Sequence, residues 1–370
     1  MSSRRGPVIR GNFMSSRRRP GPRPAPGTAL ARVVALATLT ALSACPAAKP
    51  GGPTVLKDPV AIYDRDLRED LRAELLDEVL TSYARDEPPE IDTTMLPRTV
   101  GPARIGPGPG DVLLGVEIAR APSRWPLDVD PRTPTVARSK RIEVSLSADG
   151  SAAWVSDEVS WRIPMCTRVA TIPLRLTALF ARDGDRWVPV FEHLSFARVP
   201  VPLRADELAA KVIPAAVVSG DLRDALSGVV AQGLLKPKDR KLTVVALGPE
   251  ALVLGPGIDD EWHGPDIAQS RLSDLGLRAE ERRIGTVGRS PGTATIAYWI
   301  GNFVASVPAR AGIPAGKARM RGTFVFEKRE GNWVVVQTHV SEPITDNDLA
   351  NTIFGTALLS PKPLETSCVE

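Results

Sequence analysis

Two stretches of this 370-residue chain repeat each other 146 positions apart, and no other feature constrains the fold as strongly. Arg175-Leu176-Thr177-Ala178-Leu179-Phe180 returns as Arg321-Gly322-Thr323-Phe324-Val325-Phe326. Trp187-Val188-Pro189-Val190-Phe191-Glu192-His193-Leu194-Ser195 returns as Trp333-Val334-Val335-Val336-Gln337-Thr338-His339-Val340-Ser341. Upstream, Ile105-Gly106-Pro107 with Leu113-Leu114-Gly115 aligns with Leu247-Gly248-Pro249 with Val253-Leu254-Gly255. Solenoid units run about 20–50 residues, so a period this long implies two domains of one fold.

Local patterning supplies the elements. From Asp66 to Tyr83, Leu67, Leu71, Leu75, Val79 and Tyr83 fall at i+4 steps, Leu76 and Leu80 widen the stripe, and charges fill the opposite side. That predicts an amphipathic helix. Beyond it the period falls to two. Arg141–Leu146 and Ala152–Trp161 alternate around Asp149-Gly150, and Leu174–Phe180 and Trp187–Phe196 flank Arg182-Asp183-Gly184-Asp185. Each pair reads as a β-hairpin. The helix expected to open the second copy, with Leu222, Leu226 and Val230, is weakened by Gly228 and Gly233.

The order is helix, short strand ending in Leu-Gly, hairpin, Arg-x-Thr-x-x-Phe, glycine turn and Trp-x-x-x-x-x-His-x-Ser. It resembles the SnoaL-like branch of the nuclear-transport-factor-2-like superfamily, in tandem. The resemblance implies an α+β fold: two copies, over residues 63–204 and 206–346, of a cone-shaped curved antiparallel sheet wrapped around helices, with a pocket at the wide end. Asp260-Glu261-Trp262-His263-Gly264 is similar to the acidic-Trp-x-Gly step of that family. The first copy departs there, with Ala121-Pro122-Ser123-Arg124-Trp125-Pro126, which puts the mouth of its pocket in question.

Residues 1–44 carry eight arginines and no acid, ending in the uncharged stretch Val33–Ala44. A basic region followed by a short apolar one reads as an export signal, too short to span a bilayer. Its end, Leu42-Ser43-Ala44-Cys45, resembles the bacterial lipobox, which implies cleavage before Cys45 and acylation of that residue. Met14-Ser15-Ser16-Arg17-Arg18 echoes Met1-Ser2-Ser3-Arg4-Arg5, so either methionine serves as the start. Residues 45–62 read as a flexible tether and 347–370 as a C-terminal tail. The expected location is the cell envelope, on the periplasmic side of the inner or outer membrane, held by the lipid on Cys45. Whole-chain charge is +4, but without the leader 39 basic residues face 43 acidic ones. The basic character belongs to the leader, and nucleic acid is not an expected partner. Two cysteines are left, Cys166 and Cys368, either free or paired.

The candidate pocket or structural motif is Arg175, Thr177, Trp187, His193 and Ser195, with Arg321, Thr323, Trp333, His339 and Ser341 in the second copy. Strict alternation places Trp187, Phe191, His193 and Ser195 on one strand face. Two roles fit: a polar cluster lining the cone, with His as base and Arg holding a carboxylate, or hydrogen bonding that holds the fold. Recurrence in both copies favours the second. No catalytic residue is assigned. Asp157 and Glu158 point opposite ways on their strand, and the corresponding stretch of the second copy, Tyr298–Val304, has no acid. His263 with Asp259, Asp260, Glu261 and Asp266 reads as a solvated acidic loop, so no metal or other cofactor is expected. The expected function is non-enzymatic binding of a small apolar ligand or a protein partner, the two domains packing on each other or dimerising. A cyclase or isomerase of polycyclic or ketone substrates and a structural assembly module are the alternatives.

Overall fold

The computed structural model describes residues 65–85, 102–119, 136–165, 168–196, 220–236, 238, 247–257, 259–287, 293–309 and 314–344. All of them lie in one unit, Lys57–Glu370. The leader, Cys45, the tether, the 121–126 insertion, Cys166, Cys368 and the tail lie outside the described residues.

Helix α1 (Arg65–Arg85) follows the predicted stripe: Leu71, Leu75, Val79 and Tyr83 are buried, while Leu67 and Leu80 are exposed. The stripe is therefore narrower than the pattern implied. Next come β1 (Ala103–Ile105), β2 (Val112–Leu114), a single-turn α2 (Val116–Ala119), β3 (Val136–Leu146), β4 (Ala152–Met165), β5 (Arg168–Asp183) and β6 (Arg186–Ser195). The second half has α3 (Gly220–Leu234), β7 (Leu247–Leu254), β8 (Glu261–His263), α4 (Pro265–Asp274), β9 (Arg278–Thr286), β10 (Ile296–Val307), β11 (Gly316–Arg329) and β12 (Asn332–Ser341). Among the described residues no helix is long and apolar enough to cross a membrane.

The strands form two six-stranded sheets, ordered β2-β1-β6-β5-β4-β3 and β8-β7-β12-β11-β10-β9. The order is the same in both. Each is antiparallel except where the short upstream strand joins parallel to the last one, β1 to β6 and β7 to β12. The two sheets are separate and open, where cone-shaped sheets wrapped around helices were expected. The tight turn between β11 and β12 places Glu330 (φ 50) and Gly331 (φ 81) in the left-handed region, as a two-residue loop matched to strand twist requires.

Both faces of each sheet are covered. One face of the first sheet packs on α1, burying Trp161, Phe180 and Trp187 with Leu71, Leu75 and Val79. One face of the second packs on α3 and α4, burying Trp299, Phe303, Phe324 and Phe326 with Leu226, Val230 and Leu272. The opposite faces meet each other over Ile105, Trp154, Leu179 and Phe191 from the first sheet and Tyr298, Ile300, Val325 and Val336 from the second. After β12 the chain returns to the first half: Ile344 joins its core and donates its N–H to the Pro107 carbonyl at 2.8 Å.

A β-bulge in each last strand departs from strict alternation. Leu179 partners Phe191 while Phe180 partners Pro189, so Val190 is skipped; in the second sheet Val325 partners Gln337, Phe326 partners Val335, and Val336 is skipped. An extra residue reverses the facing of the side chains beyond it. Trp187 and Trp333 accordingly sit on the helix side, while Phe191, His193 and Ser195, and Gln337, His339 and Ser341, face the other sheet. The expectation that Trp187 shares a face with His193 is corrected by this bulge.

Candidate functional site

The repeated polar motif meets its own copy at the seam between the sheets. Within each sheet Thr177 is registered opposite His193 and Arg175 opposite Ser195, with Thr323–His339 and Arg321–Ser341 as the counterparts. The hydrogen bonds cross instead to the other sheet. His193 Nδ1 lies 3.2 Å from Thr323 Oγ1 and its Nε2 2.8 Å from Ser341 Oγ. His339 Nδ1 lies 3.0 Å from Thr177 Oγ1 and its Nε2 2.7 Å from Ser195 Oγ. The two imidazoles stack with centroids 3.9 Å apart. Both are fully buried.

Hydroxyls either donate or accept, so two of them satisfy a neutral imidazole in either tautomer. A second ring proton would bring charge into a dry seam already flanked by arginines. Burial, with Arg321 nearby, pulls the His193 pKa down to about 3. Burial, then His193 and Arg175, holds that of His339 well below its ordinary value. Neutral imidazoles with both nitrogens engaged are hydrogen-bonding struts.

The arginines clamp turns across the same seam. Arg321 Nη1 donates to the carbonyls of Gly106 (3.2 Å) and Gly108 (2.8 Å), and its Nη2 to that of Pro109. Arg175 Nη1 donates to the carbonyls of Gly255 (2.9 Å) and Gly257 (2.8 Å). The clamped turns share a pattern, Gly106-Pro107-Gly108-x-x-Asp111 and Gly255-Pro256-Gly257-x-x-Asp260. In each, the Asp side chain accepts the N–H of the second glycine, at 2.7 Å and 2.6 Å. A Cβ on Gly108 or Gly257 would lie 2.6 Å from that carboxylate, so the turn excludes any larger residue. These turns correct the upstream repeat alignment. Ile105 partners His193 as Leu254 partners His339, so Ile105-Gly106-Pro107-Gly108 matches Leu254-Gly255-Pro256-Gly257, not the segment at Leu247. The signal was present in the sequence as a second Gly-Pro-Gly-x-x-Asp. At the seam's edge Arg141 pairs with Glu261, which also binds His263 at 3.0 Å. His263 thus belongs to strand β8 and hydrogen-bonds a carboxylate of that strand. Among the described residues no group of three or more His, Cys, Asp and Glu is arranged to hold a metal.

Two other features carry chemical potential. Asp157 and Glu158 do face opposite ways. Asp157 is buried on the α1 side of the first sheet, accepting hydrogen bonds from Tyr83 Oη (2.9 Å), Ser139 Oγ (2.9 Å) and the Arg141 N–H (3.3 Å). Burial pushes its pKa up against those donors. On the other side of its strand, the space among Glu158, Arg141, Arg175 and Glu261 is only about 10 Å³, too small for a substrate. Gly301 occupies the matching place in β10.

The second feature is a cavity of about 330 Å³ in the second half. Its walls are the clamped turn (Pro256, Gly257, Asp259, Asp260), Trp262, the end of α4 (Arg271, Asp274, Leu275), Ala305 to Pro308, and Met320. The size falls within the range of small-molecule sites. Sequence reading did not find it, because its walls come from four separated segments. None of the ten motif residues lines it.

A family model described as "SnoaL-like domain" matches residues 77–199. That segment is a SnoaL-like domain. It takes in the C-terminal part of α1 and the whole first sheet, and so includes Asp157, His193 and Ser195. No curated protein matches the chain. Among solved structures, an uncharacterized protein with a cystatin-like fold from Caulobacter vibrioides is 16% identical, covering 36% of this chain and 96% of that one at a TM-score of 0.27. An NTF2-like protein of unknown function from Pseudomonas putida is 14% identical, covering 39% and 99% at 0.27. The association domain of C. elegans CaMKII is 14% identical, covering 33% and 92% at 0.25.

Proposed function

We propose that this chain is an envelope lipoprotein, anchored through Cys45, in which two SnoaL-like domains pair within one molecule and the second binds a small molecule without transforming it. The observation that carries the binding role is the cavity of about 330 Å³ beside α4 and Trp262. In the first half, Trp161, Phe180 and Trp187 fill the space beneath α1 with Leu71, Leu75 and Val79. That half acts as the scaffold. A repeated sheet order supports reading the second half as the same kind of domain. The His-Thr-Ser motif and both arginines are occupied in joining the halves, so the seam is an internal dimer interface. Its two-way exchange of equivalent contacts is the signature of an isologous pairing.

Native mass spectrometry of the purified mature protein tests the binding role. A co-purifying small molecule, lost when Ser306→Trp blocks the cavity mouth, is the expected result. Retention of the same mass in that variant refutes the assignment of the site. Anchoring is tested separately: Cys45→Ala should move the protein from the membrane fraction to the soluble one, and unchanged membrane retention excludes the lipid anchor.

A further inference from the structure

The cavity of the second half has a floor and a rim of different chemistry. Ala305, Val307 and Met320 supply a buried apolar floor, and Trp262 and Leu275 flank it. The rim is charged: Asp259, Arg271 and Asp274 are exposed, and among the described residues their side chains have no hydrogen-bond or ion-pair partner. Asp260 differs from them. Its carboxylate is taken by the Gly257 N–H, and the Arg175 guanidinium lies behind the same turn. With Asp260 set against Arg175, the rim has two unpaired carboxylates and one unpaired guanidinium.

An apolar floor under a net negative rim selects for a molecule with the opposite layout. We propose that this cavity takes a small amphiphilic amine, with a flat apolar body on Met320, Val307 and Ala305 and a protonated nitrogen at Asp259 and Asp274. The proposal rests on the reading that the cavity is a binding site. The Trp262 ring in the wall adds attraction for a cation near an aromatic face. Because the rim is wet, each carboxylate contributes modestly and in a salt-dependent way. The charge tunes selectivity, and the floor supplies most of the affinity.

Three probes of nearly equal shape separate the charge inference from the site itself: tryptamine, neutral tryptophol and anionic indole-3-acetate, titrated by calorimetry into the full-length protein at 20 mM salt. Tryptamine should bind about fivefold more tightly than tryptophol, with indole-3-acetate weakest. Asp259→Asn with Asp274→Asn should bring tryptamine down to the tryptophol value, as should 0.5 M salt. Ser306→Trp should abolish binding of all three. Equal affinities, or a preference for indole-3-acetate, overturn the amine class and leave the cavity as a binding site. No binding of any probe overturns both. Tryptamine binding that survives Ser306→Trp places the site elsewhere and overturns the proposal. All three substituted positions are exposed, so folding of the variants is a minor concern.

Discussion

Lowering the pH from 7.5 to 5 should weaken this fold through the two seam histidines. His193 has its pKa pulled from 6.5 to about 3 by burial and by Arg321. The folded pKa lies below the unfolded one, so stability is fully present above about pH 6.5 and is lost as pH falls below it. In that window the unfolded chain binds one more proton at this residue than the folded chain. The slope is then about 1.4 kcal/mol per pH unit, giving a loss of about 2 kcal/mol from His193 alone by pH 5. His339 is shifted in the same direction by burial, His193 and Arg175, and adds to the loss. Against a typical total of about 5–15 kcal/mol, that is a large fraction. The assay is urea unfolding at pH 7.5, 6 and 5, for the parent and for His193→Gln with His339→Gln. Glutamine keeps a donor and an acceptor but does not titrate, so the difference in slope isolates the histidines from every carboxylate. If that pair does not fold, either single variant should still lose about half of the slope. Proton NMR gives a second readout: in a His263→Gln background the two remaining imidazole signals should not titrate between pH 7.5 and 5. Parallel slopes for parent and variant, or seam signals titrating near pH 6.5, refute the neutral-strut account.

The same geometry sets three further outcomes. Arg321→Met should cost about 3 kcal/mol or more, because the carbonyls of Gly106, Gly108 and Pro109 lose a buried charged donor; Arg321→Lys should restore little of it, since the turn is gripped by a planar fork, and denaturant midpoints measure both. Gly285→Ala should destabilise by about 2 kcal/mol or more, because its Cβ would stand 2.4 Å from the Tyr298 hydroxyl oxygen in the seam; combining it with Tyr298→Ala should cost clearly less than the sum, a coupling that a double-mutant cycle reads directly. Tyr83→Phe should cost about 1–3 kcal/mol at pH 7.5 by removing a donor from buried Asp157. Burial raises the Asp157 pKa, so its proton is taken up preferentially in the folded state and the penalty should shrink as pH falls through that folded value; chemical unfolding at pH 7.5 and 4.5 checks the trend.

How far the seam was legible in the sequence depends on what alternation can report. Arg175, Thr177, His193 and Ser195 were readable as neighbours, because a hairpin brings them opposite one another in register. Their facing was not readable. A half-buried sheet announces its wet side by polar residues, but here helices cover one face and the other sheet covers the second, so that cue is lost. Val190 and Val336 look like ordinary strand residues, yet each is the extra residue of a bulge, and that moves Trp187 and Trp333 away from the histidines. The partner sheet was not readable either, since Thr177 lies beside His193 in its own strand pair but hydrogen-bonds His339. The same holds for the clamped turns. Gly-Pro-Gly-x-x-Asp reads as a loop within either half, and the side-chain donor that clamps its carbonyls is the arginine of the other half. What distinguishes an internal interface from a pocket lining at this level is reciprocity. A ligand site needs its polar residues in one copy only, whereas a self-complementary seam needs donor and acceptor sets in both, at one spacing. Arg-x-Thr with His-x-Ser, present twice 146 residues apart, meets that condition, and the second histidine is the partner to which the first was already matched.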